Sequence, residues 1–200
     1  MTTAPAPSFG DRLRAWRQRR RLSQLDLALD AEISARHLSF VETGRAHPSR
    51  EMVMRLAEQL EVPLRERNLL LVAAGYAPSF RDRPLDDPSL GAIRQAVERL
   101  LQAHEPFPAL AIDRHWTLLA ANSAIGRLVA GADPALLRPP VNVLRLSLHP
   151  AGLAPRIANL AEWRQYLLQR LRRDADATAD PVLAALLDEL RDYPVAGAVR

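Results

Sequence analysis

From residue 9 to about residue 75 the chain alternates short apolar-periodic stretches with single turns, a pattern that predicts five helices. Leu13 and Trp16 mark the apolar face of a first helix over residues 9–20. Leu27, Ala28, Ile33, Leu38 and Val41 fall where two short helices, joined by a tight turn at residues 31–33, would bury their facing sides. Ser23 opens the first of that pair and Ser34 the second, because a serine hydroxyl accepts an orphan backbone N–H of the first turn. Ala28 is small enough to let the second helix cross closely. Gly44 suits the left-handed position just past a helix end. Met52, Val53, Leu56, Ala57 and Leu60 recur at helical spacing after Pro48-Ser49, and Pro63 and Gly75 bracket a fifth helix.

The rhythm then breaks. Residues 1–8 read as a disordered tail, residues 9–76 as a complete small domain, and residues 77–88 as a proline-punctuated linker. Residues 89–104 predict an amphipathic helix with Ile93, Ala96, Val97, Leu100 and Leu101 inward. Residues 107–122 change period and read as two strands around a turn at Asp113-Arg114-His115, with His115 exposed at its tip. Asn122 is placed to cap a helix through about residue 130, and Asn142 to cap another. Helical patterns follow over residues 160–173 and 181–191. Residues 89–200 are therefore a second domain of mixed helix and strand.

Composition narrows the chemistry. There is no cysteine, so disulfides, thiolate metal sites and a cysteine nucleophile are excluded. All 27 basic residues are arginine. The net charge of +4 is unevenly placed: residues 1–83 hold 14 Arg against 10 acids, and residues 84–200 hold 13 against 13. Six arginines crowd into residues 12–21. A solvated helix face would account for such a run alone; beside a capped helix pair, attraction to phosphate is the better account. No apolar run reaches a membrane span, and residues 1–8 lack the features of a secretory signal, so a cytoplasmic protein is expected.

A capped helix pair with a tight turn is a helix-turn-helix, whose second helix enters a DNA major groove. Double-stranded DNA is the expected partner. The segment LSQLDLALDAEISARHLSFVETGRAHPS resembles the Xre (phage-repressor-like) helix-turn-helix family, which keeps Ser-Gln, Leu-Ala and Glu-x-Gly where this chain has Ser23-Gln24, Leu27-Ala28 and Glu42-Thr43-Gly44. RHLSFVETGRAHPSREMV followed by PLRERNLLLVAAGYAP is similar, more narrowly, to the subgroup that carries an MmyB-like ligand-binding domain. The resemblance is specific over about residues 9–80 and looser beyond.

The resemblance implies a fold that is α+β and mostly α: a five-helix lambda-repressor-like domain followed by a PAS-like α/β domain. It implies that Ala35, Arg36, His37 and Phe40 face base edges. Arg36 has the fork to bond guanine O6 and N7 together, and Phe40 or Ala35 can touch a thymine methyl. Phe40 has core as its other reading. Gln24 and Arg45 suit phosphate contacts that set register. Arg17 and Glu42 match positions where the family pairs helices one and three.

In the second half, W116…N122, NVLRLSLHPAGLAPRIANLAEW and LLDELRDYP stand in the family's order. The family's PAS-like sheet and flanking helices enclose a pocket associated with fatty-acyl ligands. Trp116, Leu118, Ile125, Leu128, Val143, Leu144 and Leu148 are the expected lining, and Arg145, His149 or Arg156 the expected partner of an acyl head. The alternative is that these are ordinary core residues and that the arginines pair with local acids. Family members run on with further strands, whereas this chain stops at Arg200; the expectation is a truncated sensor or an incomplete pocket.

The resulting expectation is a DNA-binding transcriptional regulator, acting as a homodimer, that senses a small apolar ligand. A helix-turn-helix adaptor or antitoxin-type interaction module is the other reading. Neither cofactor nor metal is expected. Catalysis is not expected either, because the five histidines show no ligand spacing and the eight glycines build no phosphate loop.

Overall fold

A computed structural model describes residues 7–80, 83 and 87–194. Most of the expected tail, and residues 81, 82 and 84–86 of the expected linker, lie outside the described residues. The chain divides into two compact units, residues 1–82 and 83–200.

The first unit is five helices: α1 (Phe9–Arg19), α2 (Gln24–Asp30), α3 (Ala35–Glu42), α4 (Arg50–Gln59) and α5 (Leu64–Ala73). Local chemistry sets both ends of nearly all of them. Ser8, Ser23, Ser34 and Ser49 each accept a first-turn N–H, and Asp11 and Asp26 complete reciprocal capping boxes with Ser8 and Ser23. Ser8, expected in the tail, is thus the cap of α1. Pro63 takes the cap position of α5, where it has no N–H to orphan.

Every one of the five stops in the same way. The residue after the C-cap is left-handed (Arg21, Glu32, Gly44, Glu61 and Gly75), and its own N–H and that of the next residue close back on the last turn. In α2, Glu32 N–H reaches the Leu29 carbonyl at 3.1 Å and Ile33 N–H the Ala28 carbonyl at 2.9 Å. Leu13, Leu27, Leu38, Leu56, Leu60, Leu70 and Leu71 form the sealed core. The chain beyond α5 is strapped back: Asn68 Oδ1 accepts Ser79 and Phe80 N–H, and Arg50 reaches Ala77 and Ser79.

The second unit holds α6 (Gly91–Ala103), β1 (Leu110–Ile112), β2 (Leu118–Ala121), α7 (Ala124–Val129), α8 (Val143–Leu148), α9 (Leu160–Thr178) and α10 (Pro181–Arg191). The strands pair antiparallel, Leu110 with Ala121 and Ile112 with Leu118, with a bulge between. Asp113 shapes the turn by accepting His115 and Thr117 N–H. Among the described residues the sheet has only these two strands, so helices rather than a PAS-like sheet make most of the walls.

Three sequence expectations change here. The apolar face of α6 is not inward: Ile93 is 55% and Leu100 64% exposed, and Leu101 is the buried residue of that helix. Asn122 does not cap α7; its buried amide bonds the Leu101 and Phe107 carbonyls and Ala109 N–H, tying α6 to the hairpin. α9 runs past residue 173 because Leu167, Leu171 and Ala175 continue one stripe, and it stops at left-handed Ala179. That stripe packs on Leu183, Leu186 and Leu190 of α10 and on Leu144 and Leu148 of α8.

Candidate functional site

The helix-turn-helix is held by one buried carboxylate. The Glu42 side chain is fully buried at the end of α3. Arg17 Nε donates to its Oε1 at 2.7 Å and Nη2 to its Oε2 at 3.0 Å, a two-pronged pair from α1 to α3. Gln24 Nε2 donates to Oε2 at 2.7 Å, and half-exposed Arg14 approaches at 3.5 Å. Burial pushes the Glu42 carboxyl up, but the hydrogen bonds from Arg17 and Gln24 and the nearby arginine charges outweigh it and hold the group below its usual range. Gly10 permits this meeting of helices: a Cβ there would lie 2.2 Å from the Glu42 carbonyl oxygen. Gly10 was not singled out from the sequence, since a single glycine in a helical pattern carries no signal of what it faces.

The pair Arg17 and Glu42 is therefore brought together, while Gln24, expected at a phosphate, has its amide turned to Glu42. Part of the arginine excess is likewise internal. Arg20 bonds the Leu60 and Glu61 carbonyls at the end of α4, Arg55 the Ala31 carbonyl at the end of α2, and Arg67 the Val62 carbonyl. Cations belong at these helix ends, where carbonyls lack partners.

On the recognition helix α3, Arg36 is exposed, and Ala35, His37 and Phe40 are half-buried. Phe40 is one turn on from Arg36, and the guanidinium lies over its ring, 5.4 Å from the centroid. Stacking on a ring restricts a guanidinium while leaving its planar N–H edge free to donate. Arg45 is exposed just beyond Gly44.

The second unit contains an apolar cavity of about 960 Å³. Trp116, Leu118, Ile125, Leu128, Val143 and Leu144 line it, from the hairpin, α7 and α8. Leu148 does not; it is 2% exposed in the α8–α9–α10 core. Trp116 is the third residue of the hairpin turn and has φ +64°. Its N–H meets the Asp113 carbonyl at 3.1 Å, and Asp113 N–H meets the Thr117 carbonyl at 2.9 Å. Such a turn needs one left-handed residue, ordinarily glycine. A tryptophan there costs about 1–3 kcal/mol of backbone strain.

The expected head-group partners separate. Arg156 lines the cavity, with Nη1 donating to the Ala130 carbonyl at 2.7 Å. Arg145 does not; it pairs with Glu189, Nε to Oε1 at 2.8 Å and Nη2 to Oε2 at 2.7 Å, beside a separate small cleft. Arg145 holds the Glu189 carboxyl low, and burial together with Glu189 pushes Tyr193 up to about 12. His149 also lies elsewhere: it meets Tyr193 edge-on at 5.1 Å, and its Nδ1 accepts Ala151 N–H. His115 is half-buried rather than exposed, 2.7 Å from Asp180 at the start of α10.

Sequence reasoning missed Trp163, Tyr166, Arg170 and Arg127, all on the cavity wall. The first three recur on α9 at positions i, i+3 and i+7, so helical spacing could have grouped them. It could not have told which element they face.

Comparison with known proteins agrees with both units. Residues 8–70 match the helix-turn-helix domain family, and residues 93–198 match the MmyB-like transcription regulator ligand binding domain. No curated protein matches the chain. Among the described residues no helix is long and apolar enough to cross a membrane. With its ligand-binding match covering over half of the chain, behind a helix-turn-helix built on the Arg17–Glu42 pair, the chain belongs to the MmyB-like transcription regulators, proteins that work by binding DNA and a ligand rather than by catalysis.

Proposed function

We propose that this protein is a sequence-specific regulator, acting as a homodimer on two-fold operators, whose second unit senses a fatty-acyl-like ligand. The observation that carries the reading is the apolar cavity of about 960 Å³, large enough for a small-molecule ligand and bounded by aliphatic and aromatic side chains. Arg36 reads a guanine, Ala35, His37 and Phe40 contact neighbouring base edges, and Arg45 meets phosphate. Ligand alters DNA affinity only to the extent that it binds the free and DNA-bound conformations unequally.

The test is selection of a cognate duplex by the full chain, followed by binding measurements on it and on random DNA. Arg36→Ala should cost about 1–3 kcal/mol on the cognate site and little on random sequence, whereas Arg45→Ala should weaken both and flatten the salt dependence by about one charge. Equal losses from Arg36→Ala on both duplexes would remove it from base reading. An absence of any salt-dependent, sequence-selective binding would favour the adaptor or antitoxin-type reading instead. Organic extraction of the purified protein tests the ligand, and sedimentation tests the dimer.

A further inference from the structure

Four of the five helices of the DNA-binding unit carry an acid in the first turn: Asp11, Asp26, Glu51 and Glu66. The helix dipole favours negative charge there. The recognition helix α3 has no such acid and holds Arg36 in that turn, a placement its own stability does not call for. Burial of α3 is one-sided as well. Leu38, Val41 and Glu42 form its buried face. At about 3.6 residues per turn, Arg36 and Phe40 lie on the crest opposite that face.

A phenylalanine on that crest gains little from the core of its own unit, yet Phe40 is half-buried. Arg36 lies against it from one turn earlier, its guanidinium 5.4 Å from the ring centroid. Other arginines of the unit are committed: Arg17 to Glu42, Arg20 to the Leu60 and Glu61 carbonyls, Arg55 to Ala31 and Arg67 to Val62. Among the described residues Arg36 makes no hydrogen bond or ion pair, and the Phe40 ring is its platform. A free arginine side chain gives up rotamer freedom when it docks on a base. One already laid on a ring has given up part of it, and still keeps the fork that guanine O6 and N7 accept from.

We propose that Phe40 is a positioning residue whose ring holds the Arg36 guanidinium ready for a guanine edge, so that guanine selectivity belongs to the Arg36–Phe40 pair and not to Arg36 alone. This rests on the reading of Arg36 as a base-contacting residue, and it deepens that reading. Phe40 acts on specificity through Arg36.

The experiment uses the full chain and its selected duplex, each guanine of which is replaced in turn by adenine. The guanine-to-adenine affinity ratio is measured for wild type, Arg36→Ala, Phe40→Leu, Phe40→Tyr and the Arg36→Ala/Phe40→Leu double variant. Wild type should prefer guanine at one position by about tenfold or more, and Arg36→Ala should abolish the preference there. Phe40→Leu keeps apolar bulk without a ring face; it should cut the same ratio by about two- to fivefold and leave binding to random DNA unchanged. Phe40→Tyr should keep the wild-type ratio, and the double variant should be no worse than Arg36→Ala. Uracil in place of the neighbouring thymines should leave the Phe40→Leu effect as it was, since no methyl group is involved. No change of the ratio in Phe40→Leu, an equal loss on random DNA, a loss that adds in full to that of Arg36→Ala, or one that vanishes on the uracil duplex would overturn the role of Phe40 and leave Arg36 as a base reader. Absence of a guanine preference, or one that survives Arg36→Ala at every position, would overturn the base reading and this inference with it.

Discussion

The two units of this chain solve opposite packing problems. In the DNA-binding unit, four of five helices start at a serine that caps them, and all five stop at a left-handed residue. Its core leucines are sealed, although Leu25, Leu29 and Leu64 lie exposed on its surface, and among the described residues its one buried charge is fully bonded. In the ligand-binding unit α6, α7 and α9 begin without a side-chain cap, and Ile93, Leu100, Leu110 and Leu128 remain substantially exposed. Its two strands and short helices surround a void. Both units use strained left-handed residues, but to different ends. Glu32 stops a helix, whereas Trp116 aims a ring into the cavity. A unit that must present a rigid helix to DNA is closed by local chemistry; a unit that must admit a ligand gives up packing to do so.

The sharpest way to break this contrast is to remove the cation from the closed unit. Arg17→Ala should destabilise the protein by about 3–4 kcal/mol in urea unfolding, near the low end for a broken buried pair because Gln24 and Arg14 still face Glu42. The native carboxyl of Glu42 is held below its ordinary value of 4.5, so its contribution is full above that value and is lost as pH falls through the lowered one. The stability difference between wild type and the Arg17→Ala/Glu42→Ala double variant should therefore shrink on acidification below about pH 4.5. A difference that is flat with pH would remove the ion pair from the account.

The second unit can be probed with two leucines of equal chemistry. Leu171→Ala, at a fully buried position between α9 and α10, should cost about 3 kcal/mol. Leu128→Ala, on the cavity wall and 45% exposed, should cost less than about 1 kcal/mol, because it enlarges a void already present and removes little buried area. Equal costs would mean that the cavity is closed in solution.

One further effect has the opposite sign. Glu32→Gly should raise stability by about 1 kcal/mol, since glycine accepts φ +53° without the steric cost that glutamate bears there. A lower thermal midpoint would show that the Glu32 side chain itself contributes to the turn.

Much of the DNA-binding unit was legible because its signals are local. Serines at 23 and 34, the glycine at 44 and the spacing of Leu27, Ala28, Leu38 and Val41 lie within one or two turns of the structures they specify. The hairpin around Asp113 and the start of α8 at Asn142 are local in the same sense. The lining of the cavity was partly legible, since Trp116, Ile125 and Leu144 are apolar residues on short elements. Of its cations, Arg156 was expected, and Arg127 and Arg170 were not. Arg145 and Arg170 look alike in sequence, and both lie on helical patterns.

By itself, then, the sequence determined where most helices of the DNA-binding unit begin and end, where period 3.6 gives way to period 2, and which half carries the positive charge. Those features depend on backbone bonds and side-chain caps only a few residues apart. Tertiary structure decided which arginine is spent and which is free. Arg145 is taken up by Glu189, 44 residues away, and the Gln24 amide by Glu42, 18 residues away. It likewise left α6 exposed and turned His115 onto Asp180, 65 residues on. A void, an exposed helix face and a cation without a partner are all properties of what lies opposite a residue, and no local pattern along a chain records that.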